Sequence, residues 1–71
     1  MTGLGYRVET SEHVGYVNRK VTYSFHDTLN EALTAYNTTV NTNEHADVTL
    51  SDLGAPHVRP ARIILQALMP H

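Results

Sequence analysis

The stretch Thr28-Leu29-Asn30-Glu31-Ala32-Leu33-Thr34-Ala35-Tyr36 decides the fold, because it carries a start signal and a buried face for one helix. A threonine followed three residues later by a glutamate is a capping box, which predicts that the helix begins at Thr28. Asp27 and Glu31 also place negative charge near the positive end of the helix dipole. The apolar positions recur at helical spacing and are predicted to be buried: Leu29, Ala32, Leu33 and Tyr36.

Beyond this stretch the helix signal weakens. Asn37-Thr38-Thr39 is a run of poor helix formers. The asparagine side chain competes for backbone hydrogen bonds, and the β-branched threonines lose side-chain rotamer freedom in a helix. Val40 would continue the apolar stripe if the helix extends that far. Asn41 to His45 is predicted to be a polar loop.

Two strands are predicted before the helix. The first spans Leu4 to Thr10, and Ser11 to His13 is predicted to be a turn. The second spans Tyr16 to Phe25 and shows the two-residue alternation of a half-buried antiparallel strand. The alternation, read together with the helix, predicts that Tyr23 and Phe25 serve the core.

Two more strands are predicted after the helix. Ala46 to Ser51 forms the third, with Val48 and Leu50 pointing inward, and Ala61 to Met69 forms the fourth. The order of elements predicts an α+β, ββαββ fold, in which the helix packs on one face of an antiparallel four-stranded sheet. The prolines of the connection Pro56 to Pro60 are incompatible with a regular ladder there. The order of strands within the sheet stays open.

Length and composition limit the possible classes of protein. The chain of 71 residues predicts a single domain, 1–71, with an ordered core over about 4–69. It has no cysteine, which excludes disulfides and thiolate zinc sites and fits a reducing compartment. The formal net charge is −2 and no apolar run is long enough to span a membrane. The N-terminus lacks the features of a signal peptide, so a cytoplasmic protein is expected.

The last predicted strand is the most informative feature for function. Ile63, Leu65, Ala67 and Met69 share one face by alternation, while Ile64 and Leu68 share the other. One helix covers only one face of a sheet, so Ile64 and Leu68, together with Tyr16, are predicted to form an exposed partner-binding patch. A domain this small gains little from its own core, which favours a homodimer or binding to a larger host protein. The alternative is that the Pro56 to Pro60 segment or the N-terminal tail covers that face.

No motif for catalysis, a cofactor or a metal is found. The chain has five histidines, but none are paired at the spacing of a metal site. The best cluster of metal-ligand type is Glu44-His45-x-Asp47, which His26-Asp27 would join if the fold brings them together. No serine lies in a G-x-S-x-G motif. The sequence therefore predicts a protein that is not an enzyme and that holds no cofactor and no metal.

A nucleic-acid-binding module is the alternative function. Arg59 and Arg62 flank Pro60 in the one locally basic stretch, and with Lys20 they would hold a phosphate if the fold gathers them. Five basic residues in the whole chain are few for tight phosphate binding at physiological salt. The opposing interpretation is an exposed loop with scattered charges.

The segments Tyr23 to Leu33 and Asp47 to Gly54 resemble a pattern found in small ββαββ proteins, which are common in bacteria and among bacteriophage accessory genes. The resemblance extends in layout over roughly Leu4 to Met69, and it carries over no catalytic residue. It implies a small cytoplasmic protein that acts by binding and modulating a larger host protein. The long Pro56 to Pro60 connection departs from the usual pattern.

Overall fold

A computed structural model describes residues 5–14, 18–43, 45–55 and 58–68 of the chain. It contains one helix and four strands, in the order β1 Tyr6–Val14, β2 Asn18–His26, α1 Leu29–Thr42, β3 Ala46–Asp52 and β4 Arg62–Ala67. The strands form one antiparallel sheet in the order β2-β1-β3-β4, and α1 packs against it. The predicted ββαββ fold is confirmed, and β2 and β4 are its two edges.

Helix α1 begins where the capping box predicts. Thr28 is the N-cap, and its hydroxyl oxygen accepts a hydrogen bond from the Glu31 backbone N–H at 3.2 Å. The helix continues to Thr42, through the run of poor helix formers. The Thr39 hydroxyl donates to the Ala35 carbonyl at 2.7 Å, so its polar group is satisfied within the helix. Val40 packs against the core and extends the apolar stripe as predicted.

The core lies between α1 and the two central strands. Val48 and Leu50 of β3 are fully buried, as predicted, and Val8 of β1 pairs with Leu50 across the ladder. Ala32 and Tyr36 supply the buried face of α1. The covered area is narrow, because the helix packs mainly on β1 and β3.

The predicted turn at Ser11 to His13 is wrong. Strand β1 continues through it to Val14, and Ser11 pairs with Val21 of β2 on one side and Asp47 of β3 on the other. A central strand satisfies its backbone groups on both sides. Those two ladders outweigh the weak local preference of serine, glutamate and histidine for a turn.

The predicted burial of Leu29 is also wrong, since its side chain is 39 % exposed. The packed stripe of the helix runs from Ala32 to Val40, so the first turn projects past the core. Leu33 is half-buried and packs against the core. Three of the four predicted positions therefore face the sheet.

Tyr23 and Phe25 do not serve the core; they are 51 % and 67 % exposed. Val8 faces the helix, and it pairs with Ser24 of β2, so Ser24 shares the helix side of the sheet. The residues on either side of Ser24 therefore lie on the opposite face. Alternation identified the two faces of β2 correctly but could not tell which of them the helix covers.

Strand β4 contains a shift in register. Leu65 pairs with Leu50, whereas Ile63 pairs with Ser51, so Ile64 is an extra residue between them. Leu50 and Ser51 point to opposite faces, and so do Leu65 and Ile63. The prediction that Ile63 and Leu65 share a face is wrong, because simple alternation does not allow for a bulge.

Candidate interaction surfaces

The open face is the side of the sheet opposite α1, and its centre is polar. Arg7 and Glu9 of β1 lie there with their side chains 3.8 Å apart, beside Thr49 and Ser51 of β3. The backbone ladders place these residues on the face opposite the buried Val8, Val48 and Leu50. Packing another sheet flat on this face would remove the Arg7 and Glu9 charges from water, which is costly.

The aromatic edge lies along one side of the open face and consists of Val21, Tyr23 and Phe25 of β2. The Tyr23 and Phe25 rings are stacked with their centroids 6.4 Å apart and their planes at 27°. The Arg7 guanidinium lies 5.3 Å from the centroid of the Tyr23 ring, within cation–π range. Val21 is 41 % exposed, so all three side chains of the aromatic edge are available to a partner.

The β4 patch lies along the other side of the sheet and contains Ile63, Ile64, Leu65 and Leu68. Their side chains are exposed by 59 %, 36 %, 40 % and 57 %. Because Ile63 and Leu65 point to opposite faces, the patch wraps around the edge of the sheet. The sequence predicted Ile64 and Leu68 as partner-binding residues, and both side chains are exposed. Ile63 and Leu65 are exposed as well, because β4 is an edge strand rather than a central one.

Tyr16, the third predicted partner-binding residue, lies outside the described residues. The aromatic edge was missed by sequence reasoning, although it follows Tyr16 along the same predicted strand. No local signal identifies it, because alternation divides the residues of β2 between two faces without saying which face the helix covers. The ladder to β1, which places Ser24 on the helix side, decides this.

The two edges differ in how they would accept another strand. Strand β4 has six residues, a register shift at Ile64 and Pro60 shortly before it, all of which hinder extension of a sheet. Strand β2 has nine residues, and its register with β1 is regular from Asn18 to His26. The β4 patch is therefore suited to side-chain packing, and the β2 edge to strand pairing.

The three residues of the nucleic-acid alternative are not brought together. The Arg59 side chain forms an ion pair with Asp52. Arg62 is the residue opposite Asp52 in the backbone register of the β3–β4 ladder. Lys20 lies on β2, three strand spacings or about 14 Å away across the sheet. It pairs with Glu12, near the opposite end of β1. The fold therefore provides no common phosphate site for these cations.

Asp52 organises the connection into β4 instead. Its carboxylate accepts a hydrogen bond from the Gly54 backbone N–H at 2.9 Å and from the Arg59 guanidinium. The Gly54 hydrogen bond, the Arg59 ion pair and the charge of Arg62 lower the pKa of the Asp52 carboxyl, against an opposing effect of burial. The main-chain bridge between Ala55 and Arg59 closes the same turn.

The described residues offer little else for chemistry. Glu12, His13 and His45 line a polar hollow near the C-terminal end of α1, but no group of three or more possible ligands in the described part of the chain is placed to hold a metal ion. Within the same residues, no helix is long and apolar enough to cross a membrane.

Comparison with protein-family models, with curated proteins and with solved structures finds no match to this chain. Its function is therefore inferred from its own surfaces.

Proposed function

We propose that this chain is a non-enzymatic protein-interaction module that uses the β4 patch to bind a larger host protein or a second copy of itself. The observation that carries the proposal is the exposure of large apolar side chains on both faces of edge strand β4, at Ile63, Ile64 and Leu65, and at Leu68 just beyond its end. Contiguous apolar surface of this kind on a small domain marks interaction sites. The partner is expected to present an apolar groove that encloses the edge.

The proposal extends to the class of protein. The resemblance in layout to small bacterial and bacteriophage ββαββ proteins supports a role as an accessory protein that modulates a host protein. The narrow core supports the same role, because α1 packs mainly on the central strands and leaves much of both edges to a partner.

A photo-crosslinking amino acid at position 64 tests this function. The matched control carries the same probe at position 34, where Thr34 is exposed on α1 away from the sheet. We expect adducts of defined mass from position 64, with purified chain or in an extract of the source cells, and none from position 34. Leu68→Asp should abolish the adduct while the helix signal in circular dichroism is retained. Equal labelling from both positions would contradict the proposal.

A further inference from the structure

We propose that β2 is the site at which a second copy of this chain adds, antiparallel, with Tyr23 on the two-fold axis. The two four-stranded sheets would then join into one of eight strands. This interface uses the aromatic edge and is separate from the β4 patch. It can therefore be tested independently of the function proposed above.

The backbone of β2 is open to pairing. Among the residues that the structure describes, β2 pairs with β1 alone, so its outer side presents a row of N–H and C=O groups that no described strand pairs. Natural edge strands are protected against pairing by prolines, bulges, short length or charge. Strand β2 has no proline and no register shift, and its charged residues are confined to Arg19 and Lys20 at one end.

The segment Val21 to Phe25 is uncharged and rich in β-formers, and all its residues are exposed. Such a segment on an edge is a template for another strand. When two copies pair antiparallel about Tyr23, Val21 lies opposite the partner's Phe25, and Thr22 lies opposite the partner's Ser24. Apolar groups therefore meet apolar groups on the open face, and hydroxyl groups meet on the other.

Charges near the ends of β2 fit the same register, while the Arg19 guanidinium also lies 3.8 Å from the Asp47 carboxylate of its own sheet. Arg19 lies at the start of the strand and Asp27 immediately follows its end. Centring the pair on Tyr23 places Arg19 opposite the partner's Asp27 at both ends of the interface. Centring it on Thr22 instead would place Arg19 opposite the partner's Phe25 and leave Asp27 without an opposite residue in the strand.

A second copy is the occupant that the observations favour. An isologous interface needs a surface that is complementary to itself, and Val21 to Phe25 with its oppositely charged flanks meets that condition. Flat stacking of two open faces does not, because it would bury the Arg7 and Glu9 charges of both copies. Edge pairing leaves those charges in water.

The absence of cysteine from the chain allows a direct test of the register. A single Tyr23→Cys substitution would place two thiols opposite each other, within the range that a disulfide requires. In a Val21→Cys chain the two thiols would be four residues, or about 14 Å, apart and could not bond. We expect Tyr23→Cys to form a disulfide-linked dimer at least about tenfold faster than Val21→Cys under mild oxidation.

A mixture of Val21→Cys and Phe25→Cys chains tests the register with Tyr23 intact. We expect disulfide-linked heterodimers to form in the mixture, while each chain alone stays monomeric on a non-reducing gel. Adding Leu68→Asp to both chains should leave this result unchanged, which separates it from the β4 patch. The proposal is overturned if the mixture yields no excess of heterodimer, or if Thr22→Cys cross-links faster than Tyr23→Cys.

Discussion

Asp52 and Gly54 together fix how the chain leaves β3. The buried Asp52 carboxylate accepts a hydrogen bond from the Gly54 backbone N–H and forms an ion pair with Arg59, which closes the turn that follows. Gly54 has a φ of +80°, in the left-handed region that favours glycine. Arg59 and Arg62 are recognisable in the sequence as a basic stretch, but their acidic partner is not, since the β3–β4 pairing brings Asp52 beside them.

Replacing Gly54 by alanine should destabilise the fold by about 1–3 kcal/mol. The new Cβ would lie 2.6 Å from the Arg59 carbonyl oxygen and 2.8 Å from the Pro60 carbonyl carbon, both of them backbone atoms. Urea unfolding measures the change. Ala61→Gly, at an exposed residue of the same connection, is the control and should shift stability by less than about 0.5 kcal/mol. Equal stability of Gly54→Ala and the native chain would refute the assigned turn.

The free energy of unfolding should fall in acid because the Asp52 carboxylate becomes protonated. Its pKa is lowered in the folded chain, so the ionised carboxylate stabilises the fold above the ordinary carboxyl range near pH 4, and the effect is lost as the pH falls through the folded-state pKa. Asp52→Asn should therefore reduce the dependence of unfolding free energy on pH between about 5 and 2. Arg59→Gln should reduce it less, because the Gly54 hydrogen bond remains. Identical pH profiles for native and Asp52→Asn chains would exclude this role.

At the scale of elements, the helix was the most predictable part of the chain. Its cap is encoded in four adjacent residues, and Thr28 and Glu31 act as the local pattern indicates. The strands were harder, because their bounds depend on distant partners. Strand β1 extends past the predicted turn only because both β2 and β3 pair with it.

Removing the helix cap gives a prediction for this scale. Thr28→Ala should lower the free energy of unfolding by about 1 kcal/mol, because the Glu31 N–H loses its acceptor. Thr28→Ser keeps a hydroxyl and should cost only a few tenths of that loss. Thermal melts followed by circular dichroism compare the two. A Thr28→Ala chain as stable as Thr28→Ser would mean that the cap contributes nothing.

At the scale of the whole molecule, the sheet is wider than the helix that covers it. The radius of gyration of 12.9 Å exceeds the roughly 11 Å expected for a compact domain of this length. The principal extents of 41, 24 and 15 Å describe a thin slab. Because α1 covers one face of this slab, apolar side chains on the opposite face, Tyr23 and Phe25 among them, remain in water.

Leu50 and Leu29 are both predicted from the sequence to be buried, but the narrow core implies that their replacement by alanine lowers the free energy of unfolding by very different amounts. Leu50→Ala should destabilise the fold by about 2–5 kcal/mol, because its side chain is fully buried between α1 and the sheet. Leu29→Ala should cost less than about 1 kcal/mol, because Leu29 lies outside the packed stripe. Urea denaturation of both variants measures the difference. Similar losses would mean that the helix covers more of the sheet than the structure indicates.

That Ile64 and Leu68 bind a partner stays a prediction. Their exposure was predictable from the sequence, because a strand that is apolar on both faces needs a cover on both. The aromatic edge was not, because alternation alone does not say which face the helix takes, and strand order decides which strands lie at the edges. Both depend on pairings between residues far apart in sequence, such as Val8 with Ser24 and with Leu50.

Sedimentation equilibrium tests most directly the claim that this sheet is completed by a second copy. With a chain mass of 7.9 kDa, the average mass should rise to twice that value as the concentration increases into the high micromolar range. Tyr23→Lys in a Leu68→Asp chain, in which the β4 patch cannot contribute, should hold it at the mass of one copy, whereas Leu68→Asp alone should not, because two lysines would face each other on the β2 axis. A native chain that keeps the mass of one copy at every concentration would contradict the account.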